Sequence, residues 1–353
     1  MRAMLPAIFQ KILGVFLAAA AVLSSFFGSL FKQTPPEAAR PVVTGTFMQG
    51  WAFKNFDTGA IGRHFDCLLE AGIDTVILQS TASTPYGRFE YAYYPSALAS
   101  RNPADSYDAS GEALVENCLA NAEQRGMKVF LGLNCSDEWW SEFVKSKPWY
   151  TMQANLGNEI AEELYGLYKE KYPNAFYGWY FVWEFSNSLF PYETRCADML
   201  NINLDYLTGL DKSMPLMLSP FLNAGISPAQ TRASWSAVFT MTNFREGDIF
   251  CCQDSVGAGF IKLEQLDQYY SAVKDAVDTK PGLRFWANNE NFTQTDWSSA
   301  PLSRFVTQMK IASKYVENHV TFAYSHYYSP DMGKQAYHDA YKQYVLTGEV
   351  TDP

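Results

Sequence analysis

Histidine is scarce in this chain, four in 353 residues, and its six cysteines contain no C-x-x-C pair and no dense framework. Zinc-binding and dithiol redox motifs are thereby excluded, and buried free thiols are preferred over a bridge such as Cys67–Cys118 between neighbouring predicted helices. A cationic surplus is missing too: 27 Lys and Arg stand against 37 Asp and Glu, for a net charge of −10. A phosphate backbone needs clustered basic residues, so a nucleic-acid partner is excluded. No Walker or dinucleotide fingerprint occurs, and the Gly-containing turn Ser255–Gly259 (SVGAG) is weak without one. No cofactor and no resident metal are expected from these features.

The sequence is instead rich in aromatic residues, 16% of the chain, with 9 Trp and 22 Tyr. At 48% hydrophobic, 18% charged and a mean hydropathy of −0.18, it reads as globular. One long apolar run stands apart, Ile12–Phe31, preceded by Arg2 and Lys11 and followed by a polar linker, Lys32–Pro41. Its twenty uncharged residues fit an uncleaved membrane anchor slightly better than a signal peptide, although Ala18–Ala21 offers a cleavage site. Residues 1–31 are therefore expected to be a signal peptide or anchor and 32–41 a linker. The remainder, 42–353, is expected to be extracytoplasmic, secreted or held at a membrane through that segment.

From residue 42 onward, short apolar runs alternate with longer amphipathic stretches, the pattern of repeated βα units. The runs are Val42–Gln49, Thr75–Gln79, Lys128–Asn134, Phe176–Glu184, Pro215–Ser219, Ile249–Asp254, Leu283–Glu290 and Val320–His326. Helices are expected over Thr58–Ala71, Gly111–Arg125, Asn158–Lys171, Leu263–Val277 and Leu302–Val316, with Gly72 and Gly126 as stops. Eight strands, no second core and no later linker predict a single α/β domain, a (β/α)8 TIM barrel. The runs end on Gln49, Gln79, Asn134, Glu184, Ser219, Asp254, Glu290 and His326, which would ring the mouth where such barrels carry their active sites.

Glu184 and Glu290 stand out because each closes an aromatic strand rather than lying on a solvated helix face. Two carboxyl groups facing each other across a barrel mouth are what glycosidic cleavage requires, about 5–5.5 Å apart for retention and about 6.5–9.5 Å for inversion. One would be a general acid held protonated by burial beside rings such as Trp183, the other a carboxylate kept ionised by donors. Asn289 is a candidate donor or sugar contact. Trp51, Trp139, Trp140, Trp183, Trp286 and Tyr327 are candidate sugar platforms, with core packing as the plainer role for each. Gln49, Gln79 and Asn134 would bind hydroxyls, and Asp254 would bind a hydroxyl or orient a catalytic group. His326, the one histidine expected at a strand end, completes the ring. Asp137 and Glu138 read as caps of a helix starting near Trp139. The expected substrate is an oligo- or polysaccharide. Two other readings compete: a metal-dependent barrel using Glu184, Asp254, Glu290 and His326, and a carbohydrate-binding barrel without catalysis.

Five segments carry a family likeness: Thr44–Trp51 (TGTFMQGW), Gly72–Gln79 (GIDTVILQ), Tyr177–Glu184 (YGWYFVWE), Gln253–Gly259 (QDSVGAG) and Phe285–Phe292 (FWANNENF). Together they resemble a bacterial family of exported TIM barrels, long catalogued as a domain of unknown function and related to clan A glycoside hydrolases. In clan A the acid/base Glu ends strand four and the nucleophile Glu ends strand seven, so the resemblance implies these roles for Glu184 and Glu290. One position departs from the clan pattern. The Asn that usually precedes the strand-four Glu is Trp183 here, and an Asn-Glu pair occurs on strand seven as Asn289-Glu290.

Overall fold

The computed structural model describes residues 40–353. The expected signal or anchor, Ile12–Phe31, and nearly all of the linker lie outside the described residues. Among the described residues no helix is long and apolar enough to cross a membrane.

Eight parallel strands close into a barrel: β1 Gly45–Met48, β2 Thr75–Leu78, β3 Lys128–Gly132, β4 Phe176–Phe181, β5 Leu216–Leu218, β6 Ile249–Gln253, β7 Arg284–Glu290 and β8 Asn318–Phe322. Each strand pairs with its neighbours in sequence, and β1 closes the ring by pairing with β8 through Gly45 and Val320. The major helices are α1 Thr58–Glu70, α2 Leu114–Arg125, α3 Lys147–Tyr168, α4 Glu193–Asp211, α5 Pro228–Met241, α6 Leu266–Val277, α7 Leu302–Ala312 and α8 Gln335–Thr347. This is the TIM barrel that the alternating runs predict.

Local chemistry accounts for most boundaries. Asp57 caps α1 by accepting from the Ala60 N–H, and Ser227 and Gln230 form a reciprocal capping box on α5. α2 stops at Gly126, whose φ of +67° suits a residue without Cβ, as the Gly stop signal anticipates. α3 begins eleven residues before the expected Asn158, because Ser146 accepts from the Trp149 N–H and Pro148 sits in the first turn. β8 ends at Phe322, and His326 lies in a short helix, Tyr324–Tyr327, rather than at the strand end.

Strand alternation sorts side chains between barrel interior and helix layer. Phe47, Tyr180 and Phe322 pack edge to face or tilted inside the barrel, with Phe47 5.2 Å from Tyr180 and 5.7 Å from Phe322. On the other face, Phe285 meets Tyr270 of α6 at 5.7 Å. One insertion departs from the plain repeat. The segment between β2 and α2 forms strands Ala82–Ser83, Phe89–Ala92 and Pro103–Asp108, which join Asn134–Cys135 in a four-stranded sheet at the barrel mouth.

Candidate active site

Glu184 lies just beyond β4 and Glu290 is the last residue of β7. Both line one cavity of about 350 Å³, together with Gln49, Gln79, Gln253 and Trp297. A second cavity of about 200 Å³ shares Gln79, Trp140 and Glu184 with the first and is walled by Trp51, Tyr91 and Trp183. The two glutamates therefore face one connected space at the mouth.

Their surroundings differ. Glu184 is half-buried against a wall of rings: Trp139 and Trp183 lie 5.6 Å apart, and the Trp139 Nε1–H donates to the Glu184 carbonyl at 3.1 Å. Burial pushes the Glu184 carboxyl up to about 7, opposed by the Gln253 amide, which donates to Oε1 at 3.5 Å. Gln253 is itself held by donating to the Ser219 carbonyl at 2.7 Å.

Glu290 is buried, and its Oε2 accepts from the Ala258 N–H at 2.7 Å. Burial, and after it the charge of Asp254, pushes Glu290 well above the usual carboxylate range, while the backbone at Ala258 and Gly257 and the Arg304 charge pull the other way. The loop after β6 can descend onto Glu290 because residue 257 is glycine. A Cβ there would lie 2.4 Å from the Phe292 carbonyl oxygen and 2.9 Å from the Glu290 Cβ.

Behind Glu290 lies a closed polar network. Asp254 accepts from the Gln308 amide at 2.6 Å, the Asn289 amide at 3.0 Å and the backbone N–H groups of Val256 at 3.1 Å and Glu290 at 3.3 Å. Burial raises the Asp254 carboxyl despite these donors. The Asn289 carbonyl oxygen faces His319 Nδ1 at 2.8 Å, and burial lowers His319 to about 4, so this imidazole is neutral.

The predicted residues therefore divide. Gln49, Trp51, Gln79, Trp139, Trp140, Trp183, Glu184 and Glu290 line the connected cavities. Asn134, Asp254, Trp286, Asn289 and His326 lie outside that lining and are engaged elsewhere in the fold. Asn289 is out of phase with Glu290 on β7 and faces the helix layer, bonded to Asp254 and His319. Trp286 is in phase but deeper along the strand, buried with the Arg284 guanidinium 5.1 Å from its ring. Asn134 donates to Thr84 at 2.9 Å and to Gln153 at 2.8 Å, tying the mouth sheet to α3. His326 accepts from the Gln49 N–H at 3.3 Å and stacks on Trp51 at 5.6 Å, supporting that ring from behind. With Asp254 closed and His326 engaged, the four ligands of the metal reading do not converge. No group of three His, Cys, Asp or Glu able to hold a metal occurs among the described residues.

The Asp137–Glu138 reading also changes. Asp137 lines the smaller cavity, and Glu138 precedes the helix Trp139–Glu142 without capping it, accepting instead from the Trp149 Nε1–H at 3.1 Å. Several lining residues lay outside the expected set, notably Tyr91, Tyr93, Phe221, Gln253, Phe260 and Trp297. The alternation in Phe89–Tyr94 (FEYAYY) was the available signal for the first two. As a strand it places Tyr91 and Tyr93 on one face, where they stack at 4.5 Å.

The class that fold and site define is a TIM barrel whose mouth holds two glutamates among tryptophans on one cavity. The chain belongs to the family described as "Domain of unknown function (DUF4434)", whose model matches residues 43–334. It is similar to a Bacteroides thetaiotaomicron VPI-5482 protein provisionally described as an alpha-L-fucosidase. That match has 22% identity and a TM-score of 0.74, covering 89% of this chain and 96% of the other. It is also similar to the PgaB (BpsB) glycoside hydrolase domain from Bordetella bronchiseptica, at 12% identity and a TM-score of 0.53, covering 86% and 98%. No curated protein matches the chain in sequence.

Proposed function

We propose that the protein is an exported glycoside hydrolase that cleaves a β-linked glycan with retention of configuration, using Glu184 as acid/base and Glu290 as nucleophile. The observation that carries this reading is the shared cavity: carboxyl groups from the ends of strands four and seven open onto the same space, each in a different environment. The barrel shared with the Bordetella glycoside hydrolase domain supports the reaction class at the level of fold.

In the first step Glu184 protonates the glycosidic oxygen as the C–O bond breaks, and Glu290 attacks the anomeric carbon to form a glycosyl ester. In the second, Glu184 removes a proton from water, which attacks the same carbon and releases Glu290. A carboxyl raised to about 7 still carries its proton near neutrality and can return it, which suits the acid/base role. For Glu290 the attacking form is the anion; burial and the Asp254 charge disfavour it, and the Ala258 N–H on Oε2 and the Arg304 charge are the groups that favour it. The amides of Gln49 and Gln79 are placed for sugar hydroxyls, and Trp140 and Trp297 offer ring faces.

Glu184→Gln and Glu290→Gln should each reduce hydrolysis of an identified glycan by about 10²–10⁴-fold, because the amide is nearly isosteric but neither ionises nor donates an acidic proton. With an activated aryl glycoside the loss at Glu184 should be much smaller in the first step. Azide should then give a retained glycosyl azide from the Glu184 variant and an inverted one from the Glu290 variant. If both variants kept full hydrolysis, or the wild type bound glycans without cleaving any, this reading would be wrong.

A further inference from the structure

The mouth extends beyond the two glutamates. A cavity of about 270 Å³ begins at Glu184, Trp140 and Phe221 and runs to Ser186 and Ser188. Ser188 also lines a further cavity of about 410 Å³ between the loops after β4 and β5, bounded by Phe190, Glu193, Gln230 and Ser234. The floor joining these spaces is a fixed structure. The Asn187 side chain accepts from the Asn223 N–H at 2.9 Å and donates to the Thr231 hydroxyl at 2.8 Å, locking one loop to the other. The Phe221 N–H donates to the Phe185 carbonyl at 3.0 Å, and the Asn187 N–H to the Phe221 carbonyl at 3.2 Å.

A second observation concerns the surface. Among the described residues, the exposed aromatic side chains are Trp51, Tyr86, Trp140, Phe190, Phe260 and Trp297. All six lie in the connections that run from a barrel strand to the next major helix, Trp51, Tyr86 and Trp140 in short helical turns there, on the side where the two glutamates open. Water-exposed rings cost hydration free energy, and their confinement to one rim is the usual mark of a binding surface. Trp297 and Phe260 border the cavity that holds Glu290, while Phe190, 80% exposed, borders the far one.

We infer that these spaces form one groove for a glycan chain, cut internally at Glu184 and Glu290, with Phe190 as a distal sugar platform. This rests on the proposed hydrolase reading and deepens it. Trp297 and Phe260 stand at one end and Phe190 at the other, so sugars can extend past the scissile bond in both directions. Between those ends the titratable lining is Glu184, Glu290 and Glu193 with a single cation, Lys145. A polyanionic chain would need a cluster of cations along the groove and only Lys145 lines it, so the substrate class is an uncharged polysaccharide.

The test uses soluble neutral β-glucan, xylan and mannan chains of graded length, a β-linked polymannuronate as the polyanion, and an activated aryl glycoside of the sugar released. The variants are Phe190→Ala, which removes the platform, and Ala233→Trp, which fills the far cavity from an exposed position on α5. Wild type should shorten a neutral chain from within, giving mixed oligosaccharides early. Each variant should lose about tenfold in kcat/KM on long chains while keeping its rate on the aryl glycoside. Release of single sugars from chain ends alone, wild-type activity of both variants on long chains, or equal cleavage of the β-linked polymannuronate would overturn the inference. In those cases Glu184→Gln would still abolish cleavage, and the hydrolase reading would stand. If wild type cut none of the glycans, both would fall.

Discussion

Glu290 and Asp254 show how one side chain sets another's chemistry. Asp254 stands at the end of the sixth strand, as expected, yet its oxygens are taken by Gln308, Asn289 and two backbone N–H groups, leaving it a buried charge behind Glu290. A like charge raises its neighbour's pKa, so Asp254→Asn should lower that of Glu290 and move the acid limb of the kcat/KM profile to lower pH. An unmoved limb would show that Asp254 does not act on the ionising group. Glu184 makes a separate stability prediction. Its folded pKa, about 7, lies above the ordinary glutamate value of 4.5, so the folded state binds the extra proton and stability is lost as pH rises from about 4.5 to 7. Glu184→Gln removes that loss. The variant should match wild type in melting temperature below pH about 4.5, then exceed it by a margin that grows to about pH 7 and levels off. A constant margin would mean the carboxyl is not desolvated. The identity of both glutamates was readable from their place after aromatic runs. The partners that tune them were not, because Gln253, Ala258 and Gln308 come from other segments.

Among the secondary-structure elements, α1 and the loop after β8 are joined by a cluster that resembles a hydrolytic triad. His64 Nδ1 lies 2.8 Å from Asp331 Oδ2, and its Nε2 lies 3.0 Å from the Ser325 hydroxyl. Ser325 and His64 are fully buried under Phe53, whose ring is 4.8 Å from the imidazole, so no substrate reaches the serine. The cluster instead fastens the first helix to the last strand's loop where the barrel closes. His64→Ala leaves a cavity and strips a partner from the buried Ser325 hydroxyl and from the exposed Asp331, so a loss of roughly 2–4 kcal/mol is expected in denaturant unfolding. An unchanged midpoint would remove its structural role. The insertion between β2 and α2 is the element least visible in the sequence. Its two- to six-residue strands are too short for a strong periodic signal, and its pairing partner Asn134–Cys135 lies in another loop.

Across the whole molecule, the barrel is stitched shut near residue 41. The Val43 N–H donates to the Tyr341 hydroxyl at 2.8 Å, and the Tyr344 hydroxyl donates to the Pro41 carbonyl at 2.7 Å, tying the start of the domain to α8. A protein lacking residues 1–39 should therefore fold cooperatively and stay in solution, whereas removal through Val43 should lower its melting temperature. Aggregation of the shorter deletion would mean that the first residues belong to the fold. Export through Ile12–Phe31 is proposed on the sequence pattern.

Alternating apolar runs and amphipathic stretches were enough to determine the barrel, because each strand must bury its residues against a helix and the βα repeat leaves few ways to do so. They also set both glutamates at one mouth, since parallel strands end on the same side. Strand phase and depth decided the rest. One residue of offset sends Asn289 to the helix layer, and two layers of depth keep Trp286 below the cleft. The inferred groove, with Phe221, Phe190 and Trp297 along it, exists only when loops far apart in sequence meet at the rim. No local pattern encodes those meetings, because their energies come from contacts between segments rather than within them.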